Sequence, residues 1–199
     1  MGARRPPGPR SALLAMAGVV LLLWLGWVEA AQQRQLKGGA PMPLTLTSSA
    51  FPPQGEIPRR HTCEGKDLSP PLSWSGVPEG TRSLALIVDD PDAPDPRAPK
   101  MTWVHWVVYN LPPDASGLPE GVPGEELPRG TLEGTNDWKR TGYGGPCPPI
   151  GRHRYFHKLY ALSVPLPDLG RPTKAVLEEA MKGKILAQAE LVGTYEKGR

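Results

Sequence analysis

The chain has 199 residues, with 23 Lys+Arg against 20 Asp+Glu and a formal net charge of +3. Arg4, Arg5, Arg10 and Glu29 lie in the first thirty residues, and without them 20 basic residues face 19 acidic ones, a net charge of +1. A chain so balanced, with no helix-turn-helix, ribonucleoprotein or zinc-finger pattern, lacks the basic face that nucleic-acid binding needs, so no nucleic-acid partner is expected.

Residues 1–30 read as an export leader. Arg4, Arg5 and Arg10 form a basic head, Ser11 to Val28 is apolar and uncharged, and Val28-Glu29-Ala30 offers a cut after Ala30. The apolar run is long for a signal and just short of the roughly 20 residues that span a bilayer. An uncleaved anchor is therefore the second reading, and a start at Met42 the third. The Arg4-Arg5 pair lacks the flanks of a twin-arginine signal, and no Cys follows the run for lipid attachment. The expected location is periplasmic or extracellular. Residues 31–43 form a polar linker with Gly and Pro and no hydrophobic period. The folded domain spans 44–199, long enough to bury roughly 70% of its unfolded surface without needing disulfides.

Proline accounts for 26 of the 199 residues, well above the roughly 5% norm. These prolines break the domain into short apolar runs, which favours strands and structured loops over long helices. The runs predict strands at Leu44–Ser48, Leu72–Trp74, Ser83–Val88, Thr102–Asn110, His153–Val164 and Ile185–Tyr195. Leu84-Ala-Leu-Ile-Val88 is apolar on both faces, as in a central strand covered on two sides. One helix is predicted at Lys174–Lys182, with an apolar stripe of Ala175, Val176, Leu177, Ala180 and Met181 and with Thr173 as its cap. The reading is a predominantly β domain with a peripheral helix and no internal repeat.

Three segments carry candidate chemistry: Asp89-Asp-Pro-Asp-Ala-Pro94, Trp103-Val-His-Trp-Val-Val-Tyr-Asn110, and Gly142-Tyr-Gly-Gly-Pro-Cys-Pro-Pro149 followed by His153-Arg-Tyr155. In the last, glycines let main-chain N–H groups approach a ligand, prolines fix the turn, and His153, Arg154 and Tyr155 add donors, a combination suited to a small anion. Strand alternation puts Trp103, His105, Val107 and Tyr109 on one face, and His153, Tyr155, His157 and Leu159 on one face of another strand. If those strands are neighbours, His105, His153 and Tyr155 converge beside Asp90, with N–H groups from Gly144 to Cys147. Each element alone has a plainer reading. An isolated strand His is more often structural, Asp-Pro-Asp-Ala-Pro is good turn chemistry, and Trp103 and Trp106 suit a core or pocket wall. Convergence is what favours a site. Cys63 and Cys147 are expected to pair if the chain is exported, which would brace the turn, and to remain thiols in a reducing compartment.

The two blocks Asp90-Pro-Asp-Ala-Pro94 with Trp103-Val-His105, and Gly142-Tyr-Gly-Gly-Pro-Cys-Pro-Pro149 with His153-Arg-Tyr155, resemble the phosphatidylethanolamine-binding protein family, also called Raf kinase inhibitor-like, and most closely its bacterial and archaeal branch. The likeness runs from about Leu44 to Tyr195 and includes Thr62-Cys-Glu-Gly65, Ser69-Pro-Pro-Leu-Ser-Trp74 and Leu159-Tyr-Ala-Leu162. It implies a large antiparallel sheet packed on a smaller one, and a pocket at one end for phosphate-like anions. Asp90, Trp103, His105, the turn from Gly144 and Gly145 through Cys147 to Pro149, His153 and Tyr155 would line that pocket. Asp92, Pro94 and Arg154 would support it, with a cis bond at Ala93–Pro94. Animal members close the pocket with a C-terminal helix, whereas this sequence ends soon after its last predicted strand, so that gating is not expected.

Asp90 beside an anion requires donors in between, and a hydrogen bond from His105 that raises the imidazole pKa is one expectation. Asp90 receiving the ammonium of a phosphoethanolamine headgroup is another. The leading function is non-catalytic binding of a small phosphorylated ligand, phospholipid headgroup or phosphopeptide. The alternative is inhibition of an extracytoplasmic protease or other enzyme through the loops Pro91–Met101 and Leu111–Arg129. An enzyme is not expected, because no Gly-x-Ser-x-Gly elbow accompanies Asp90 and His105. Neither a cofactor nor a metal is expected: His153 and His157 with Asp90 lack a recognised ligand spacing.

Overall fold

The computed structural model describes residues 42–198 together with Gly2, so the leader, and the linker as far as Pro41, lie outside the described residues. Along the chain come β1 (Thr45–Thr47), β2 (Leu72–Ser75), β3 (Ser83–Asp90), β4 (Trp103–Leu111), β5 (Gly117–Leu118), β6 (Leu132–Glu133), β7 (Arg152–Leu162), α1 (Lys174–Met181) and β8 (Ile185–Glu196). A three-stranded sheet has the order β1-β2-β5, and a five-stranded sheet the order β6-β4-β3-β7-β8. Every pairing within them is antiparallel. The domain is therefore the mainly β, two-sheet structure with a peripheral helix that the sequence predicts. The six predicted strands fall within two residues of their observed ends, whereas the two-residue strands β5 and β6 are too short to show any alternation.

Apolar side chains of the facing sheets meet between them: Leu46, Leu72 and Trp74 from the small sheet, with Leu84, Leu86, Val88, Trp106, Val108 and Leu159 from the large one. On the other face of the large sheet, Ala85, Ile87, Val107 and Tyr109 pack under Leu177 and Met181 of α1. That double cover explains why all eight residues of β3 are buried and why its sequence reads as a continuous apolar run. Leu177 and Met181, four apart, form the inward stripe of α1, and the Thr173 hydroxyl accepts from the Val176 N–H at its start.

Two irregularities in the β3–β4 ladder aim the side chains. Asn110 has φ +58°, and its amide both donates to the Leu166 carbonyl and accepts from the Leu166 N–H. Further along, Val88 pairs with Trp106 but Asp89 pairs with Val104, which leaves His105 as an extra residue in β4. A bulge of this kind turns a side chain away from simple alternation. Val107 and Tyr109 accordingly face α1, while the His105 ring meets that of Tyr155, on the inter-sheet side. The expectation that Trp103, His105, Val107 and Tyr109 share one face is corrected by this bulge. The strands carrying His105 and His153 are not neighbours either, since β3 lies between them.

Candidate functional site

Strand β3 ends at Asp90 and the chain turns at once. The Asp92 N–H donates to Asp90 Oδ1 at 2.8 Å, and the Ala93–Pro94 bond is cis. Asp92 in turn grips the start of β7: its Oδ2 accepts from the Arg154 backbone N–H and Nε, each at 2.9 Å, and its Oδ1 from Nη2 at 2.7 Å. The Arg154 guanidinium holds the Asp92 carboxyl below the usual carboxylate range. Asp92 and Arg154 thus fasten the turn to the sheet.

Asp90 Oδ2 lies 2.7 Å from His153 Nδ1, so the Asp90 partner is His153 and not His105. Both residues are nearly completely buried. Burial pushes the Asp90 carboxyl above its ordinary value, against the lowering effect of its hydrogen bonds with His153 and the Asp92 N–H. His153 Nε2 faces the Ile150 carbonyl at 3.0 Å. Both ring nitrogens of His153 therefore point at oxygens, one on Asp90 and one on the main chain.

His105 makes a different bond. Its Nδ1 donates to the Gly144 carbonyl at 2.6 Å, and its Nε2 is buried without a hydrogen-bond partner among the described residues. Burial lowers the imidazole pKa to about 4. The expectation of a partly cationic His105 raised by Asp90 is overturned: desolvation keeps the ring neutral. Tyr155, its ring 5.2 Å away edge-on, likewise has a buried hydroxyl without a partner, and burial drives that phenol above its ordinary pKa. His157 lies farther along the same face of β7 against Phe51. It is not joined to Asp90, and among the described residues no group of His, Cys, Asp and Glu is arranged to hold a metal ion.

The Gly142–Pro149 turn also departs from expectation. The Gly144 N–H donates to the His105 carbonyl at 3.1 Å and the Gly145 N–H to Asp67 Oδ1 at 2.6 Å. These two donors, expected to cradle an anion, are used within the protein. The glycines serve close approach. A Cβ on Gly144 would lie 2.4 Å from the Trp138 ring, and one on Gly145 would lie 2.3 Å from the His61 carbonyl oxygen. Cys147 is joined to Cys63 by a disulfide, which ties the turn to the segment after Arg59–His61.

These elements enclose a cleft of about 290 Å³ walled by Asp90, Ala93, Pro94, Met101, Trp103, His105, Trp138, Cys147, Pro148, Pro149 and His153. Gly144, Gly145 and Tyr155, expected in this wall, are not part of it. Trp138 is the wall residue that sequence reasoning missed, along with Met101 and Ala93. Its ring packs edge-on against both Trp103 and His105. The loop bearing it is set by Asn136, whose Oδ1 accepts from the Trp138 N–H, and by Asp137, which exchanges two hydrogen bonds with Val104. The available signal was an aromatic residue after Asn-Asp in a polar loop, an arrangement with no periodicity to mark it.

A family model described as Phosphatidylethanolamine-binding protein matches residues 47–196. A UPF0098 protein of Methanothermobacter thermautotrophicus is 49% identical over 156 residues, 78% of this chain and all of that protein. One from Aquifex aeolicus is 48% identical over 80% of this chain and 91% of its own length. Among solved structures, a phosphatidylethanolamine-binding protein homologue from Chlamydia trachomatis shares 46% identity at a TM-score of 0.72, covering 78% of this chain and 99% of that one. Escherichia coli YBCL, described as a member of the mammalian family, shares 34% at the same TM-score, covering 79% and 100%. Taken with the two-sheet fold and the cleft at the ends of β3, β4 and β7, these matches place the chain in the phosphatidylethanolamine-binding protein family.

Proposed function

We propose that this protein binds a small phosphorylated or otherwise anionic ligand, without catalysis, in the cleft between Asp90, Trp103, His105, Trp138 and His153. The observation that carries the reading is His105, a residue of the cleft wall whose Nε2 is buried without a hydrogen-bond partner among the described residues, next to the equally unpartnered Tyr155 hydroxyl on the adjoining ring. Buried polar groups in native proteins nearly always have partners, so a ligand oxygen that reaches Nε2 completes the site. Trp103, Trp138 and Met101 supply apolar walls for the rest of the ligand.

A binding role is favoured over turnover because the cleft wall contains no Ser, Thr or Lys, and its one cysteine is in the disulfide. Phosphate, a phospholipid headgroup and a phosphopeptide share the required oxyanion. Export belongs to the same proposal. It is supported by the basic-then-apolar leader and by the Cys63–Cys147 bond, since disulfides persist mainly in oxidising compartments.

Calorimetric titration with inorganic phosphate and O-phosphoethanolamine tests the reading, with His105→Phe as the variant and circular dichroism as the check on folding. Saturable binding is expected, weakened about tenfold or more in His105→Phe, the range for a lost hydrogen bond to a charged group. Folded wild-type protein that binds neither compound would overturn the pocket reading and leave inhibition through the surface loops as the better one.

A further inference from the structure

One half of the Cys63–Cys147 disulfide belongs to the cleft, since Cys147, Pro148 and Pro149 form one stretch of its wall. Prolines at 148 and 149 leave that stretch a single main-chain N–H, on Cys147. Among the described residues no hydrogen bond reaches Cys147, Pro148 or Pro149; the nearest ones flank them. The Cys63 N–H donates to the Pro146 carbonyl at 3.1 Å, and the Ile150 carbonyl faces His153 Nε2 at 3.0 Å. Between those two points the wall is held by packing and by the disulfide.

Both cysteines are exposed, which opens the bond to a thiolate from outside, and exposed disulfides are the labile class. The wall also has room to move. A second hollow, of about 460 Å³, shares Pro148 and Pro149 with the cleft and is bounded further by Asp95, Arg97, Ile150 and Lys197. Other contacts keep the first half of the turn in place. The Tyr143 hydroxyl donates to the His61 carbonyl at 3.0 Å and the Gly145 N–H to Asp67 Oδ1 at 2.6 Å. With the Cys63–Pro146 bond, they hold the turn against the 61–67 segment, so two freed thiols remain neighbours and can pair again.

Resting on the anion-binding reading above, we infer that the Cys63–Cys147 bond is a redox switch for the cleft. Oxidised, it fixes the 147–149 wall around the ligand; reduced by a dithiol, it releases that wall and lowers affinity. The step is thiol–disulfide exchange. One thiolate of the dithiol attacks one cysteine sulfur, which forms a mixed disulfide and expels the other cysteine as a thiolate that takes up a proton. The second thiol of the dithiol, having lost its proton, displaces the first cysteine in the same way. The protein gains two electrons and two protons as a pair of thiols, and the dithiol becomes a disulfide. The core clusters of the two sheets do not include the bond, so the domain stays folded. Affinity then falls with the fraction of molecules whose wall is in place.

The full chain is reduced with dithiothreitol without denaturant, desalted under nitrogen, and titrated calorimetrically with inorganic phosphate and with O-phosphoethanolamine beside the oxidised protein. Thiol counting follows the bond and circular dichroism the fold. Both cysteines are expected to appear as thiols in a folded chain, with affinity for the two compounds lowered about tenfold or more, as when the wall is in place about a tenth of the time. Oxidised glutathione is expected to restore binding. Cys63→Ser, which breaks the bond from outside the cleft, is expected to bind as weakly as the reduced protein and to ignore dithiothreitol. Reduced, folded protein that binds within about threefold of the oxidised form would overturn the switch while leaving the anion pocket standing. So would a bond that yields to dithiothreitol only in denaturant, or a reduction that unfolds the domain. Oxidised, folded protein that binds neither compound would overturn the pocket reading and this inference with it. The two wild-type forms decide the matter even if Cys63→Ser does not fold.

Discussion

Gly144 and Gly145 adjoin in sequence, but a methyl group on each would meet very different neighbours. On Gly144 it would press into the ring of Trp138, a residue that is 39% exposed. On Gly145 it would meet backbone, the His61 carbonyl and Thr62 Cα, beside the disulfide-tethered Cys63. Gly144→Ala is expected to displace the tryptophan wall, altering Trp fluorescence and weakening anion binding at little expense in stability. Gly145→Ala is expected to destabilise the fold by about 1–3 kcal/mol, the range for overpacking against groups that cannot yield. Urea melts and phosphate titrations of the two variants check this, and the reverse order of stabilities would show that Trp138 is the more rigid neighbour. Residue types at the site were legible in the sequence, since Asp90, Trp103, His105, Cys147, Pro149 and His153 all reach the cleft wall. Their pairing was not. Asp90 meeting His153, and His105 meeting a carbonyl, depend on main-chain positions that side-chain spacing does not encode.

Between elements, Asp89 joins three of them. It is fully buried at the end of β3, with Lys158 Nζ of β7 at 2.9 Å and Lys174 Nζ of α1 at 2.5 Å. The two ammoniums keep partial access to water, while the carboxylate depends on them completely. Asp89→Asn leaves two half-buried cations facing each other and is expected to destabilise the protein by about 3 kcal/mol. Lys174→Met, which spares the Lys158 contact, should have a smaller effect. Chemical denaturation of both variants tests the order, and a neutral Asp89→Asn would show that water already solvates the lysines. Strand placement was legible because apolar runs and prolines mark it. The bulge at His105 was not, because an extra residue in one strand is defined only against its partner's register. The same limit hid β3 from its place between β4 and β7, since sheet order is a property of non-local pairing.

At the scale of the whole molecule, the sandwich buries His105 and His157 with pKa values of about 4, well below the ordinary value near 6.5. In both the cause is desolvation of the charged form. The unfolded chain therefore binds protons between about pH 6.5 and 4 that the folded chain refuses, and stability must fall as pH drops through that window, levelling below it. Each histidine contributes roughly 3 kcal/mol to the loss. Asp92, its pKa lowered by Arg154, adds to acid sensitivity at still lower pH. Asp90, its pKa raised, acts in the opposite direction by favouring the folded state on the acid side. The two imidazoles can be separated because only His105 belongs to the cleft. Both ring nitrogens of His157 are buried and make no well-formed hydrogen bond among the described residues, although the Tyr155 and Leu191 main chain lies near, so His157→Leu removes two poorly satisfied polar atoms and fills much of the same space. It is expected to leave stability at pH 7.5 unchanged or raised by about 1 kcal/mol, and to take one proton out of the pH dependence between pH 6.5 and 4. Denaturant midpoints across that range measure both effects. An unchanged slope in His157→Leu would mean that His157 does not contribute to the acid sensitivity of the sandwich.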